Sequence, residues 1–153
     1  IELKEKRKKL KELYSFIFAA LLMISIVCLL KNSLFQDALR PIAYFTAKNP
    51  NWNPSQFDIR FNCNHSFPSG HTATFATIGF FLMRFIKKTI YIKLLFAAII
   101  LVGFSRIFLF QHFVLDVIIG MYIGLFSVAA ANQITYFVLA KKKIEKTIIV
   151  LNN

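Results

Sequence analysis

The sequence predicts an all-α fold, a multi-spanning transmembrane helix bundle, on three observations. Hydrophobic residues make up 57% of the 153 residues, above the roughly 45–50% usual in soluble domains. They gather into four runs, giving spans at about 13–30, 70–86, 90–106 and 112–140. The cations, which bring the formal charge to +12, lie between the runs. That is the membrane pattern, not the basic surface of a nucleic-acid binder, so no nucleic acid is expected as a partner. A soluble bundle of four buried helices would need polar periodicity for a wet face, and there is too little of it.

The elements follow in order. Residues 1–12 form a basic tail that continues as helix into Leu13–Leu30, a run without a charge. A basic stretch followed by an apolar one resembles a secretory signal. However, the run is too long for one and no small-x-small cleavage site follows it, so it is read as a retained span. Residues 31–69 form a long polar loop with Pro50, Trp52, Pro54 and several Asn. Loops of that length without structure of their own are usually functional. The second run, Thr72–Ile86, contains only Arg84 as a charge. It approaches the roughly 20 residues of a span only if its helix starts in the preceding Pro68–His71 turn. Lys87, Lys88 and Lys93 mark a basic turn, the third run reaches back from Leu94 to Ile90, and residues 107–111 lead into the fourth. That last run carries Asp116 near its start and ends at Lys141–Lys146. Residues 1–153 read as a single membrane-embedded domain. Cys28 and Cys63 read as unpaired thiols, not a disulfide framework.

Orientation follows from the cations. The tail holds Lys4, Lys6, Arg7, Lys8, Lys9 and Lys11, the second turn holds Arg84, Lys87, Lys88 and Lys93, and the C-terminal tail holds four lysines. The opposite side holds Lys31, Arg40, Lys48, Arg60 and Arg106. Positive loops stay cytoplasmic, so both termini are expected inside a plasma (inner) membrane. The 31–69 loop and the 105–112 turn then face the periplasm or exterior.

Two stretches on that side carry chemistry. In Pro68-Ser69-Gly70-His71, Pro and Ser favour a helix start and Gly lets a ligand approach the backbone. The free N–H groups and the helix dipole favour an anion there. Alone, the tetrapeptide fits a simple capped helix start equally well. In Ser105-Arg106 with His112 and Asp116, the histidine and carboxylate are four residues apart and share a helix face. A carboxylate fixes the imidazole's tautomer and steadies its cationic form, which suits a nucleophile or base. Arg106 offers a planar fork for phosphate. The bland readings are a helix N-terminal Asp favoured by the dipole and a snorkelling interfacial Arg. With Lys31 and Arg40 upstream, the two stretches read as one phosphate-handling site at a membrane surface.

The ordered set Pro68-Ser69-Gly70-His71, then Ser105-Arg106-x5-His112-x3-Asp116, resembles the type 2 phosphatidic acid phosphatase and vanadium haloperoxidase superfamily. Lys31 and Arg40-Pro41 look like its first motif. The resemblance implies a metal-independent phosphatase without a cofactor. His112 would attack phosphorus to give a phosphohistidine, with Asp116 orienting it, and His71 would protonate the leaving oxygen. Lys31, Arg40, Arg106, Ser69 and the Gly70 backbone would hold the phosphoryl oxygens. Substrate and membrane partners would be lipids: phosphatidic acid, phosphatidylglycerol phosphate, undecaprenyl pyrophosphate or lipid A phosphates. The alternatives are a vanadate-dependent haloperoxidase, and a non-enzymatic transporter or scaffold whose His, Asp and Arg move ions or bind a ligand.

Two departures from the family pattern stand out. Eight residues separate Lys31 from Arg40 where the family usually has six. On one continuous helix the two would lie on roughly opposite faces, at about 3.6 residues per turn. Either the helix ends before Arg40, near Asp37, or Lys31 is not a ligand. Family members also commonly have six spans, with the first motif after the third. The expectation is therefore that two spans precede Ile1. His65 and His71 lack the Cys or carboxylate that would complete a metal set. Asn64-His65-Ser66 matches a glycosylation sequon. Neither composition nor motif indicates an oligomeric state.

Overall fold

The computed structural model describes residues 2–49, 51 and 63–151, with side chains through residue 138. Among these residues five α-helices form: α1 (Glu2–Leu29), α2 (Pro41–Lys48), α3 (Gly70–Met83), α4 (Thr89–Phe108) and α5 (Val114–Leu151). No strand occurs among the described residues. The chain is an all-α multi-span membrane bundle. α1 with the turn after it, α4, and residues Val114–Val138 of α5 are long and apolar enough to cross a membrane. α3 has only 14 residues, about 21 Å at 1.5 Å per residue, and stops one residue before Arg84. The loop residues 52–62, including Trp52, Pro54 and Arg60, lie outside the described residues.

α3 is the centre of the bundle, and its wheel explains why. Thr72 and Gly79 face α4, where a Cβ on Gly79 would meet Ile99 at 2.6 Å. Ala73, Ala76 and Thr77, all buried, face α5. Gly70 and Thr74 face α1, against Val27 and Met23. Apolar clusters fill the seams: Met23, Val27, Ala73 and Ile123 towards the site, and Ala19, Phe81, Val128 and Ala131 towards the other end. α1 and α4 pack on α3 and α5 rather than on each other. The fourth face of α3 is left open: His71, Phe75, Ile78 and Leu82 all lie exposed there.

Small residues set the α3–α5 distance, as expected where lipid removes the hydrophobic drive between helices. A Cβ on Gly120 would stand 2.5 Å from the Ser69 carbonyl oxygen, and one on Gly124 2.8 Å from both the Ala73 oxygen and the Thr77 nitrogen. These are backbone atoms and cannot swing aside. Gly124→Ala is therefore expected to destabilise the fold by about 1–3 kcal/mol, read as a lower thermal midpoint in detergent. An unchanged midpoint would show that the seam has room for a methyl group.

The ends of the bundle differ in chemistry. At one end Arg84 pairs with Glu12 at 3.0 Å, and Ser15 donates to Asn132 at 3.2 Å. At the other, α1 gives way to a π-helical turn at Leu30–Leu34, and the chain breaks from helix until Arg40. There Pro41 starts α2 at a position where its missing N–H costs nothing. The 31–69 loop thus contains a helix that hydrophobic periodicity did not announce. α2 docks over the α4–α5 turn: the Ile42 N–H donates to the Phe110 carbonyl at 3.2 Å, and Tyr44 meets Phe113 edge to face. Cys28 and Cys63 are both free and exposed.

Candidate active site

Both expected stretches reach the α2 end of the bundle. Ser69 caps α3, with its Oγ accepting from the Thr72 N–H at 3.4 Å and sharing a hydrogen bond with the Thr72 hydroxyl at 2.9 Å. The Ser69 N–H in turn donates to the Asp116 carbonyl at 3.0 Å. The start of α3 is thereby pinned to the first turn of α5. Gly70 and His71 follow at the open first turn, where N–H groups lack intrahelical acceptors. Ser69 is fully buried and serves the cap, whereas Gly70 and His71 line the pocket.

Arg106 lies in the last turn of α4, where a cation complements the helix dipole. The chain then folds tightly around it. The Gln111 and His112 N–H groups both donate to the Arg106 carbonyl, at 3.1 and 3.3 Å, and Phe110 takes a left-handed φ of 52° to close the turn. The guanidinium is held by Ser105 Oγ at 3.2 Å and Gln111 Oε1 at 3.3 Å.

His112 is 2% exposed and Asp116 5%. His112 Nδ1 lies 3.4 Å from Asp116 Oδ2, so the expected pair meets, although His112 stands in the turn two residues before α5 and not on its face. With Nδ1 on the carboxylate, Nε2 is the nitrogen left for chemistry. Asp116 Oδ2 also accepts from the Phe113 N–H at 3.0 Å and from the Ser66 hydroxyl. Burial of this carboxylate is thus matched by donors, as an ionised group requires.

Lys31, Arg40, Gly70, His71, Thr74, Phe75, Val102, Arg106 and His112 line one pocket of about 450 Å³. The break after α1 brings Lys31 and Arg40 together despite their spacing. A strap of residues 63–66 ties them there. The Lys31 ammonium donates to the His65 carbonyl at 2.8 Å, while His65 Nδ1 lies 3.2 Å from the Lys31 carbonyl. The Arg40 Nε–H donates to the Asn64 carbonyl at 3.1 Å, and the Arg40 N–H to the Cys63 carbonyl at 2.8 Å. His65 itself adopts φ 60°. Arg40 lies outside the spans. Burial draws its pKa below the ordinary arginine value, and the Asp116 carboxylate partly opposes this. Three cations and two histidines around one cavity make a place for an anion with several oxygens.

Of the predicted residues, only Ser69 and Asp116 stand behind the pocket instead of lining it. Sequence reasoning missed the structural part of Ser66 and the strap, whose contacts cross 23 to 50 residues of chain and leave no local pattern. Among the described residues no group of three His, Cys, Asp or Glu is placed to hold a metal.

Comparisons with known proteins give the chain's family. The PAP2 superfamily model matches residues 12–139. A lipid A 4'-phosphatase of Porphyromonas gingivalis is 27% identical over 125 residues, covering 78% of this chain and 50% of that protein. The bacitracin transport permease protein BcrC of Bacillus licheniformis is 42% identical over 69 residues, 45% of this chain and 33% of that protein. The chain thus spans half the length, or less, of these relatives. No solved structure matches.

Proposed function

The chain belongs to the PAP2 superfamily, and on that premise we propose that it is a membrane phosphatase. Its substrate would be a phosphate monoester or pyrophosphate of a lipid. The observation that carries the reading is the single pocket in which Lys31, Arg40, Arg106, His71 and His112 converge, with Asp116 behind His112. In the first step His112 Nε2 attacks phosphorus. A P–N bond forms, the P–O bond to the lipid breaks, and the leaving oxygen takes a proton from His71. Water then attacks the phosphohistidine, gives its proton to His71, and releases phosphate as the P–N bond breaks. The cations and the first turn of α3 hold the non-bridging oxygens, where phosphoryl transfer draws most of its stabilisation.

A lipid substrate is supported by the open face of α3. Phe75, Ile78 and Leu82 continue the line of His71 down the helix, exposed between α1 and α4. A tail would lie along that stripe while its phosphate sits in the pocket. The name of the Porphyromonas gingivalis relative supports a phosphorylated lipid. We place the pocket on the periplasmic or extracellular side and the N-terminus inside, because the tail and the 84–93 turn hold most of the cations at the other end.

A transporter is the second reading, favoured by the name of the Bacillus licheniformis relative. The test is phosphate release from a panel of purified lipid phosphates in detergent, comparing wild type with His112→Ala. Release that vanishes in the variant supports the phosphatase. Absence of release by the wild type across the whole panel would favour the transporter.

We also propose that catalysis needs no metal. The three cations that line the pocket would repel a metal ion and already supply the charge that it would bring. Release is expected to be unchanged by EDTA. A loss reversed by a divalent ion would overturn this.

A further inference from the structure

Ser66 precedes the Pro68–His71 motif, and neither its place in the Asn64-His65-Ser66 sequon nor the proposed reaction gives its hydroxyl a part in catalysis. It is 1% exposed and sits on the strap, 50 residues from the carboxylate that it touches. Its hydroxyl donates to Asp116 Oδ2, the same oxygen that faces His112 Nδ1 and accepts from the Phe113 N–H. Of these three donors, the Phe113 N–H is fixed by the backbone leading into α5, and His112 is the group to be oriented. Ser66 is the one side chain that arrives from outside α5 and its leading turn. Its own backbone is held by the Ala38 carbonyl, which accepts from the Ser66 N–H at 3.0 Å. The residues just before it carry the contacts to Lys31 and Arg40.

We infer that Ser66 is a positioning residue for the proposed reaction: it fixes the Asp116 carboxylate so that His112 Nδ1 is held and Nε2 is aimed at phosphorus. This rests on the phosphatase reading above. The hydroxyl touches neither the pocket nor a reacting atom. It acts through Asp116: without it Oδ2 keeps only the Phe113 N–H and the imidazole that it has to orient, and the carboxylate is less firmly held about its side chain. The imidazole would then lose its fixed aim, and small misplacements of a reacting group are costly in rate. Binding of phosphate by Lys31, Arg40 and Arg106 does not depend on that aim. A merely structural serine would instead lower stability, binding and turnover together.

The experiment measures kcat, KM and inhibition by inorganic phosphate for wild type, Ser66→Ala, Ser66→Cys and His112→Ala, with melting in detergent as the fold control. Ser66→Ala is expected to lower kcat about 10- to 100-fold, with KM and the phosphate inhibition constant within about threefold of wild type. Ser66→Cys keeps the size and a weaker donor, and is expected to fall between the two. If Ser66→Ala does not fold, the cysteine variant decides by the same split. Wild-type kcat in the Ser66 variants while His112→Ala is silent overturns the role of Ser66 alone. So does a parallel loss of binding, turnover and stability. Undiminished turnover in His112→Ala overturns the phosphatase reading, and the Ser66 role with it.

Discussion

Replacing His112 by alanine is expected to lower phosphate release at least about a thousandfold while leaving the protein folded. The size of the effect follows from the proposed role. Without the imidazole no P–N bond forms, and the pocket can only hold the phosphate while water attacks unaided. The fold should survive because the ring is not what joins the helices. The Ser69 N–H still meets the Asp116 carbonyl, and Asp116 keeps the Phe113 N–H and Ser66. Gly120 and Gly124 still seat α5 against α3. The measurement is release from lipid phosphates by matched amounts of the two proteins, with circular dichroism as the fold control. Full residual activity would refute the assignment of the nucleophile.

Arg106→Ala should produce the next largest loss, about 10²- to 10³-fold in kcat, the range for removing one donor aimed at developing charge. Its guanidinium is already oriented by Ser105 and Gln111, so little ordering remains to be done when phosphate arrives. Arg106→Lys should recover only part of the rate, because an ammonium cannot present two parallel N–H groups. Lys31→Ala is expected to show a loss of the same order, since the break after α1 puts Lys31 in the same pocket. A near-wild-type rate for Arg106→Ala would remove it from the reacting complex. A trivial loss for Lys31→Ala would leave its ammonium as a tether to His65.

Different kinds of information made different parts of this legible. The long helices could be read because an apolar run is itself the signal for burial in lipid. The His112–Asp116 contact could be read from the four-residue spacing, although His112 lies in the turn two residues before α5 and meets Asp116 across the helix start. At Lys31 and Arg40 the same counting left two readings open, and the first holds: the helix ends before Arg40, at Leu34 and not as late as Asp37. α2 was hidden because its eight residues are too few to show a period, although Pro41 marked its start. Ser66 was hidden for a deeper reason. Its partner is brought to it by the packing of α3 on α5, and nothing within a few residues of either records that approach.

The coil between Leu34 and Arg40 also changes what the first motif is. Were Lys31 and Arg40 on one helix, their spacing would be a fixed ruler, and adding two residues would swing one of them away from the other. Joined instead by a non-helical segment whose far end is pinned by the 63–66 strap, they are not bound to a fixed number of residues between them. A change in the length of that segment is expected to cost the pocket little. A search that demands a set interval between the two cations would pass over chains like this one, and the interval is better treated as a variable than as a signature.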